Sequence, residues 1–173
     1  ENEEVKKRVM SLEELARLTS QLKSEGKNIV QCHGVFDGLH VGHFQYLADA
    51  KQQGDVLIVT VTPDNYVDRG PGRPLLRDEE RADSLASVRF VDYVAINKWP
   101  TAVEAIKMLK PNIYAKGEEF SDVNDLKIKK EKDAIESIGG RLHFTRGVTF
   151  SSSQLINNYF NVYPKEAQAF LRE

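Results

Sequence analysis

Cysteine is nearly absent: Cys32 stands alone among 173 residues, which excludes an internal disulfide framework and fits a reducing compartment. Long apolar runs are absent too. Stretches such as Val56 to Val61 are strand-sized, far short of the roughly 20 residues that cross a bilayer, so no membrane role is expected. Basic charge is not in excess, with 24 Lys and Arg against 26 Asp and Glu for a formal net charge of −2. Bulk electrostatics therefore gives no reason to expect nucleic acid as a partner. No signal-peptide pattern occurs, which makes the cytoplasm the default location. The G-x-G-x-x-G turn of dinucleotide folds is missing, which sets a dehydrogenase aside. Repeats and low-complexity segments are missing as well. The chain opens at Glu1 without methionine, as a trimmed piece of a longer protein would.

What remains is ordinary globular composition, 40% hydrophobic and 29% charged, in a chain long enough for one full core. The charged residues 1–10 read as loosely ordered. Ser11 with Glu14 forms a capping-box signature, and Leu12, Leu15, Leu18 and Leu22 keep helical spacing up to Gly26. Strands are expected at about 28–34, 56–61, 91–96, 112–115 and 141–145, with helices over about 43–53, 78–87, 101–109, 125–138 and 152–160. Val56 to Val61 has the continuous apolar character of a strand covered on both faces. Strands alternating with helices predict an α/β fold, a Rossmann-like five-stranded parallel sheet with helices on both faces. Sites in such sheets lie outside the carboxyl ends of the strands, where the strand order switches. Lys127 to Lys132 alternates with acids and reads as a solvated helix face, and Trp99 as packing or a subunit contact.

The most informative stretch is Gly34-Val35-Phe36-Asp37-Gly38-Leu39-His40-Val41-Gly42-His43, between a predicted strand and a predicted helix. Two imidazoles three residues apart sit at a helix mouth, where free N–H groups and the dipole favour an anion. Gly34, Gly38 and Gly42 leave little bulk, so a phosphate can come close to the backbone. The alternative is a helix-capping pair or part of a zinc site, but Cys32, His33 and His143 supply no convincing second pair of ligands. No resident metal site is expected. Asp37 has two open readings, bonding to turn amides or to ligand, and Asp64 carries a weaker version of the same choice.

These ten residues resemble the G-x-F-D-x-x-H-x-G-H signature of the cytidylyltransferase-like nucleotidyltransferases. Three further stretches agree in order: Arg73-Pro74 with Glu80-Arg81, Pro111 to Phe120 around Lys116-Gly117, and Arg146 to Ser153. The nearest group within the family is the nucleotidyltransferase domain of bifunctional ADP-heptose synthases, whose other domain is a sugar kinase. Glycerol-3-phosphate cytidylyltransferase and FMN adenylyltransferase are alternatives, and a nucleotide-binding regulatory module that has lost turnover is an alternative of another class. Departures are His33, where the heptose enzymes carry Asn, and Glu118-Glu119 in place of a Gly-Asp pair.

The resemblance implies transfer of a nucleoside monophosphate, AMP in the leading reading, from ATP or CTP to a sugar phosphate such as heptose 1-phosphate, with pyrophosphate leaving. It implies His40, His43, Arg69 and Arg146 as the catalytic groups. The nucleotide is expected to be held by Val35, Phe36, Asp37, Gly42, His43, Lys116, Gly117, Arg146, Ser151 and Ser152. Mg²⁺ is expected to ride on the phosphates with few protein ligands. Residues 1–161 are expected to form the nucleotidyltransferase domain, N-terminal helix included. Residues 162–173 are expected to be a tail or linker, with a fused sugar kinase possible and a homodimer the expected assembly.

Overall fold

The computed structural model describes residues 3–70, 72–121 and 125–146. The expected last helix over 152–160 and the tail at 162–173 lie outside the described residues. Five parallel strands, β1 Ile29–Gly34, β2 Val56–Val61, β3 Tyr93–Ile96, β4 Ile113–Gly117 and β5 Arg141–Thr145, form one sheet in the order β3-β2-β1-β4-β5. Register runs Ile29 opposite Val56 and Val30 opposite Ile113, so β1 is the central strand. From β1 the chain winds outward through β2 to β3, then returns to lay β4 on the other side of β1. The order therefore switches between β1 and β4, which opens a crevice at their carboxyl ends.

Alternate residues of each strand feed opposite cores, as a period of two demands. Val30, Cys32, Leu57, Val59, Ile113 and Ala115 face helices α3 (Val41–Gln52) and α4 (Asp78–Ala86) through Leu47, Ala50, Ala82 and Leu85. Ile29, Ile58 and Ala95 face α2 (Leu12–Ser24) and α5 (Val103–Leu109), where Trp99 is also packed. Tyr114 on β4 faces α5 and α6 (Leu126–Ser137) through Ile106, Ala134 and Ile135. All six residues of β2 are buried, which is why its sequence shows no polar alternation.

Local signals explain the ends. Ser11 Oγ accepts from the Glu14 amide at 3.2 Å and Glu14 Oε2 accepts from the Ser11 amide at 2.9 Å, so the capping box forms. Residues 3–10 depart from the expectation of loose order. Glu3–Lys6 forms a short helix, α1, and Val9 makes a parallel bridge with Val94. The Val94 amide donates to Arg8 O at 2.8 Å and the Met10 amide to Val94 O at 3.0 Å. The open edge of β3 leaves backbone groups that need partners, and this segment satisfies two of them. Helix α3 begins at Val41, two residues before the expected start, which makes His40 its cap.

Leu57→Ala on the fully buried strand β2 should cost about 2–5 kcal/mol of stability, whereas Leu126→Ala, at a residue 71% exposed, should stay within about 0.5 kcal/mol; urea denaturation measures both.

Candidate functional site

The turn after β1 is shaped by Phe36, which adopts a left-handed φ of 55°, with Gly38 at φ 79° two residues on. This unusual backbone turns the Phe36 ring inward. It lies against Gly34, where an added Cβ would stand 3.1 Å from the ring, and stacks on Tyr46 at 6.4 Å between centroids. The Tyr46 hydroxyl in turn donates to Ala115 O at 2.7 Å, tying α3 to β4. His43 also meets Phe36, with centroids 5.4 Å apart and the rings tilted by 59°.

His40 caps α3: its Nδ1 accepts from the Gly42 amide at 3.1 Å, which leaves the ring proton on Nε2. The His40 and His43 rings are 4.0 Å apart. His40 Nε2 and His43 Nδ1 are buried and have no hydrogen-bond partner among the described residues. Two ring nitrogens at one helix mouth are thus buried and unpartnered among the described residues, an unusual state for buried polar atoms. Burial lowers the pKa of His43 to about 4, helped by the neighbouring His40 and Arg69, and burial also lowers that of His40. Both imidazoles are neutral at pH 7.

The second wall comes from the loop after β2. Arg81 on α4 is fully buried and its guanidinium donates to Val35 O at 2.5 Å, Leu76 O at 3.0 Å, Thr62 O at 2.8 Å and Asp64 Oδ1 at 2.6 Å. Asp37 accepts from the Leu75 and Leu76 amides at 2.9 and 3.1 Å and pairs with Arg73 at 3.1 Å. The carboxylates of Asp37 and Asp64 thus both bind protein groups. The amides that Asp37 holds are those of the loop after β2, not of its own turn.

The third wall is β4 with the turn at its carboxyl end. Lys116 is 8% exposed, and its Nζ lies 3.5 Å from Glu131 Oε2 and 4.7 Å from the Phe120 ring centroid. Glu118–Phe120 makes a 3₁₀ turn that folds the Glu119 carboxylate over Gly117, 2.1 Å from where a Cβ would stand. At the floor, His33 Nδ1 is 2.9 Å from Thr60 Oγ1 and its Nε2 3.3 Å from Thr62 Oγ1. Burial first, then the Lys116 charge, lowers its pKa to about 3.

These walls enclose a crevice of about 380 Å³. Val35, Phe36, Asp37, Gly42, His43, Arg69, Lys116 and Gly117 line it. His40 lies beside His43, the rings tilted by 35°, without lining the crevice. Arg146 is exposed at the end of β5, with its amide donating to Asp49 Oδ2 at 2.8 Å, and is not part of the lining. Ser151 and Ser152 lie outside the described residues. No group of three or more His, Cys, Asp or Glu placed to hold a metal ion occurs among the described residues, and no helix among them is long and apolar enough to cross a membrane. Sequence reasoning missed Glu131, which is 4% exposed and lines the crevice from a helix read as a solvated face. Ile128, three residues before it, was the available signal for a buried stripe on α6.

Known proteins resemble this chain over most of its length. The family described as Cytidylyltransferase-like matches residues 31–158. The bifunctional protein HldE of Geobacter metallireducens is 37% identical over 165 residues, 92% of this chain and 32% of that protein. The protein of the same name from Nitratiruptor sp. is 41% identical over 137 residues, 77% of this chain and 30% of that one. The chain thus spans about a third of the length of the curated relatives it matches. Among solved structures, a lipopolysaccharide core biosynthesis protein from Thermoplasma volcanium superimposes with a TM-score of 0.57 at 25% identity, covering 73% of this chain and all of that one.

The depressed histidines make stability pH-dependent. Between about pH 6.5 and 4 the unfolded chain binds protons at His33 and His43 that the folded chain refuses, so stability is full above 6.5 and falls with acid. The expected slope is up to roughly 1.4 kcal/mol per pH unit for each such imidazole, and His33→Asn should remove one share of it in urea titrations at pH 7.5 and 5. Arg81→Met, which strands three carbonyls and Asp64, should cost about 3–5 kcal/mol in the same assay.

Proposed function

This chain belongs to the cytidylyltransferase-like family and is a nucleotidyltransferase, and from that premise we propose that it moves AMP from magnesium ATP to a heptose 1-phosphate-like sugar phosphate, releasing pyrophosphate. The observation that supports this reading most directly is the pair of buried imidazole nitrogens at the α3 mouth, unpartnered among the described residues, at a crevice that His43, Arg69 and Lys116 line. The name of the Thermoplasma relative supports a sugar-linked acceptor.

In this reading an oxygen of the acceptor phosphate attacks the α-phosphorus in line. A new P–O bond forms as the bond to the β-phosphate oxygen breaks and its electron pair leaves with pyrophosphate. Alignment and charge neutralisation are the protein's contribution. His40 donates through Nε2–H and His43 through its free ring nitrogen to phosphate oxygens. Arg69 brings a guanidinium fork, and Lys116 a point charge on the opposite wall. Gly42 and the α3 amides accept close approach of the phosphates. Arg146, Ser151 and Ser152 are assigned to the far phosphates on the resemblance of their segment. The magnesium ion arrives as part of the substrate, with phosphate oxygens as its main ligands.

The length and the word "bifunctional" in the relatives' names support a further reading in which this chain is one part of a two-activity protein, a sugar kinase being the other. A homodimer and a cytoplasmic setting complete the proposal. CTP with glycerol 3-phosphate, or ATP with FMN, are the competing pairs within the same chemistry. A binding module without turnover is supported by Glu119, whose carboxylate covers Gly117 at the crevice wall.

Pyrophosphate release is the assay, run with ATP or CTP against heptose 1-phosphate, glycerol 3-phosphate and FMN. Release with ATP and the heptose is the expected result; tight triphosphate binding with no release in any combination supports the inactive module instead. His43→Ala should lower kcat by about 10²–10³-fold while the protein remains folded.

A further inference from the structure

Lysines 127, 129, 130 and 132 give α6 the look of a surface helix, yet Glu131 in its midst is 4% exposed. A carboxylate withdrawn from water needs partners, and three elements supply them. The Ala102 amide before α5 donates to Oε1 at 3.3 Å. The Tyr114 hydroxyl on β4 donates to Oε2 at 3.0 Å, and Lys116 Nζ lies 3.5 Å from the same oxygen. The first two contacts fix the carboxylate's position; the third places a negative charge against the crevice lysine.

We propose that Glu131 is a positioning residue for phosphoryl transfer, keeping the Lys116 ammonium charged and fixed at the crevice wall. The proposal rests on the transferase reading above. A buried lysine left alone sheds its proton, its pKa falling by as much as 3–5 units, and a carboxylate within about 4–6 Å opposes that loss. One contact from Glu131 also leaves other N–H donors of the ammonium for an anionic ligand.

Other groups facing Lys116 do not replace this charge. His33 on β1 is neutral, with a threonine hydroxyl at each ring nitrogen, and burial pushes the Cys32 thiol up to about 12. Tyr114 and Phe120 present rings, and Thr145 on β5 is uncharged. Glu118, Glu119 and Asp125 line the same crevice, as does the cation Lys127, but among the described residues Glu131 is the carboxylate in ion-pair contact with Lys116.

The test is E131Q, which removes the charge at nearly constant shape. The Lys116 ¹³Cε resonance, assigned by its loss in K116R, is titrated by NMR, and kcat/KM is followed against pH with ATP and heptose 1-phosphate. The Lys116 midpoint should fall relative to the unaltered protein, and the alkaline limb of kcat/KM should move down with it. E131D, which keeps the charge but withdraws it by one methylene, should show the same shifts at smaller amplitude, and it carries the test should E131Q fail to fold. An unmoved midpoint overturns the proposal, as does a moved midpoint with an unmoved limb. Absence of turnover by the unaltered protein rejects the transferase reading instead, and the Lys116 midpoint then still decides whether Glu131 sets its charge.

Discussion

The junction of the first two crevice walls depends on one buried guanidinium. Arg81 reaches from α4 into the space between the β1 and β2 turns and ties Val35, Thr62, Asp64 and Leu76 to a single rigid fork. Lysine has no such fork, and an apolar side chain would leave three carbonyls unpaired in a dry interior. Asp37 works from the opposite side, gripping the Leu75 and Leu76 amides and Arg73. Between them the two side chains sew the turn after β1 to the loop after β2.

The same logic governs charge within the crevice. Cations are held by named partners, Arg73 by Asp37 and Lys116 by Glu131, while the histidines are kept neutral by burial. A neutral imidazole in such a place retains a directed N–H donor without repelling its neighbour 4.0 Å away. An arriving polyphosphate would then meet donors already oriented and little water to displace from them.

Much of this was legible beforehand. The parallel sheet followed from apolar segments of strand length separated by helices, and β2 in particular announced burial on both faces by its lack of polar alternation. The Ser11 to Glu14 box and the strand–turn–helix around His40 and His43 are local signals, encoded within a few residues and realised as written. Glu131 was not legible: a glutamate among lysines has the composition of a solvated face, and its burial comes from Ala102, Tyr114 and Lys116, which are 15 to 29 residues away. Nor was the order in residues 3–10, which arises because the β3 edge needs partners that no local pattern mentions.

By itself, then, the chain determined what short-range chemistry can write: element type, the helix cap, and a glycine-punctuated turn carrying two imidazoles. Tertiary structure alone decided which charges are paired and which nitrogens stay open. Asp37 became a clamp on the second loop, Arg81 the fork between two turns, and Glu131 the partner of Lys116. The physical reason is that pairing and desolvation depend on distances between elements, and those distances exist only after the sheet has brought β1 and β4 side by side.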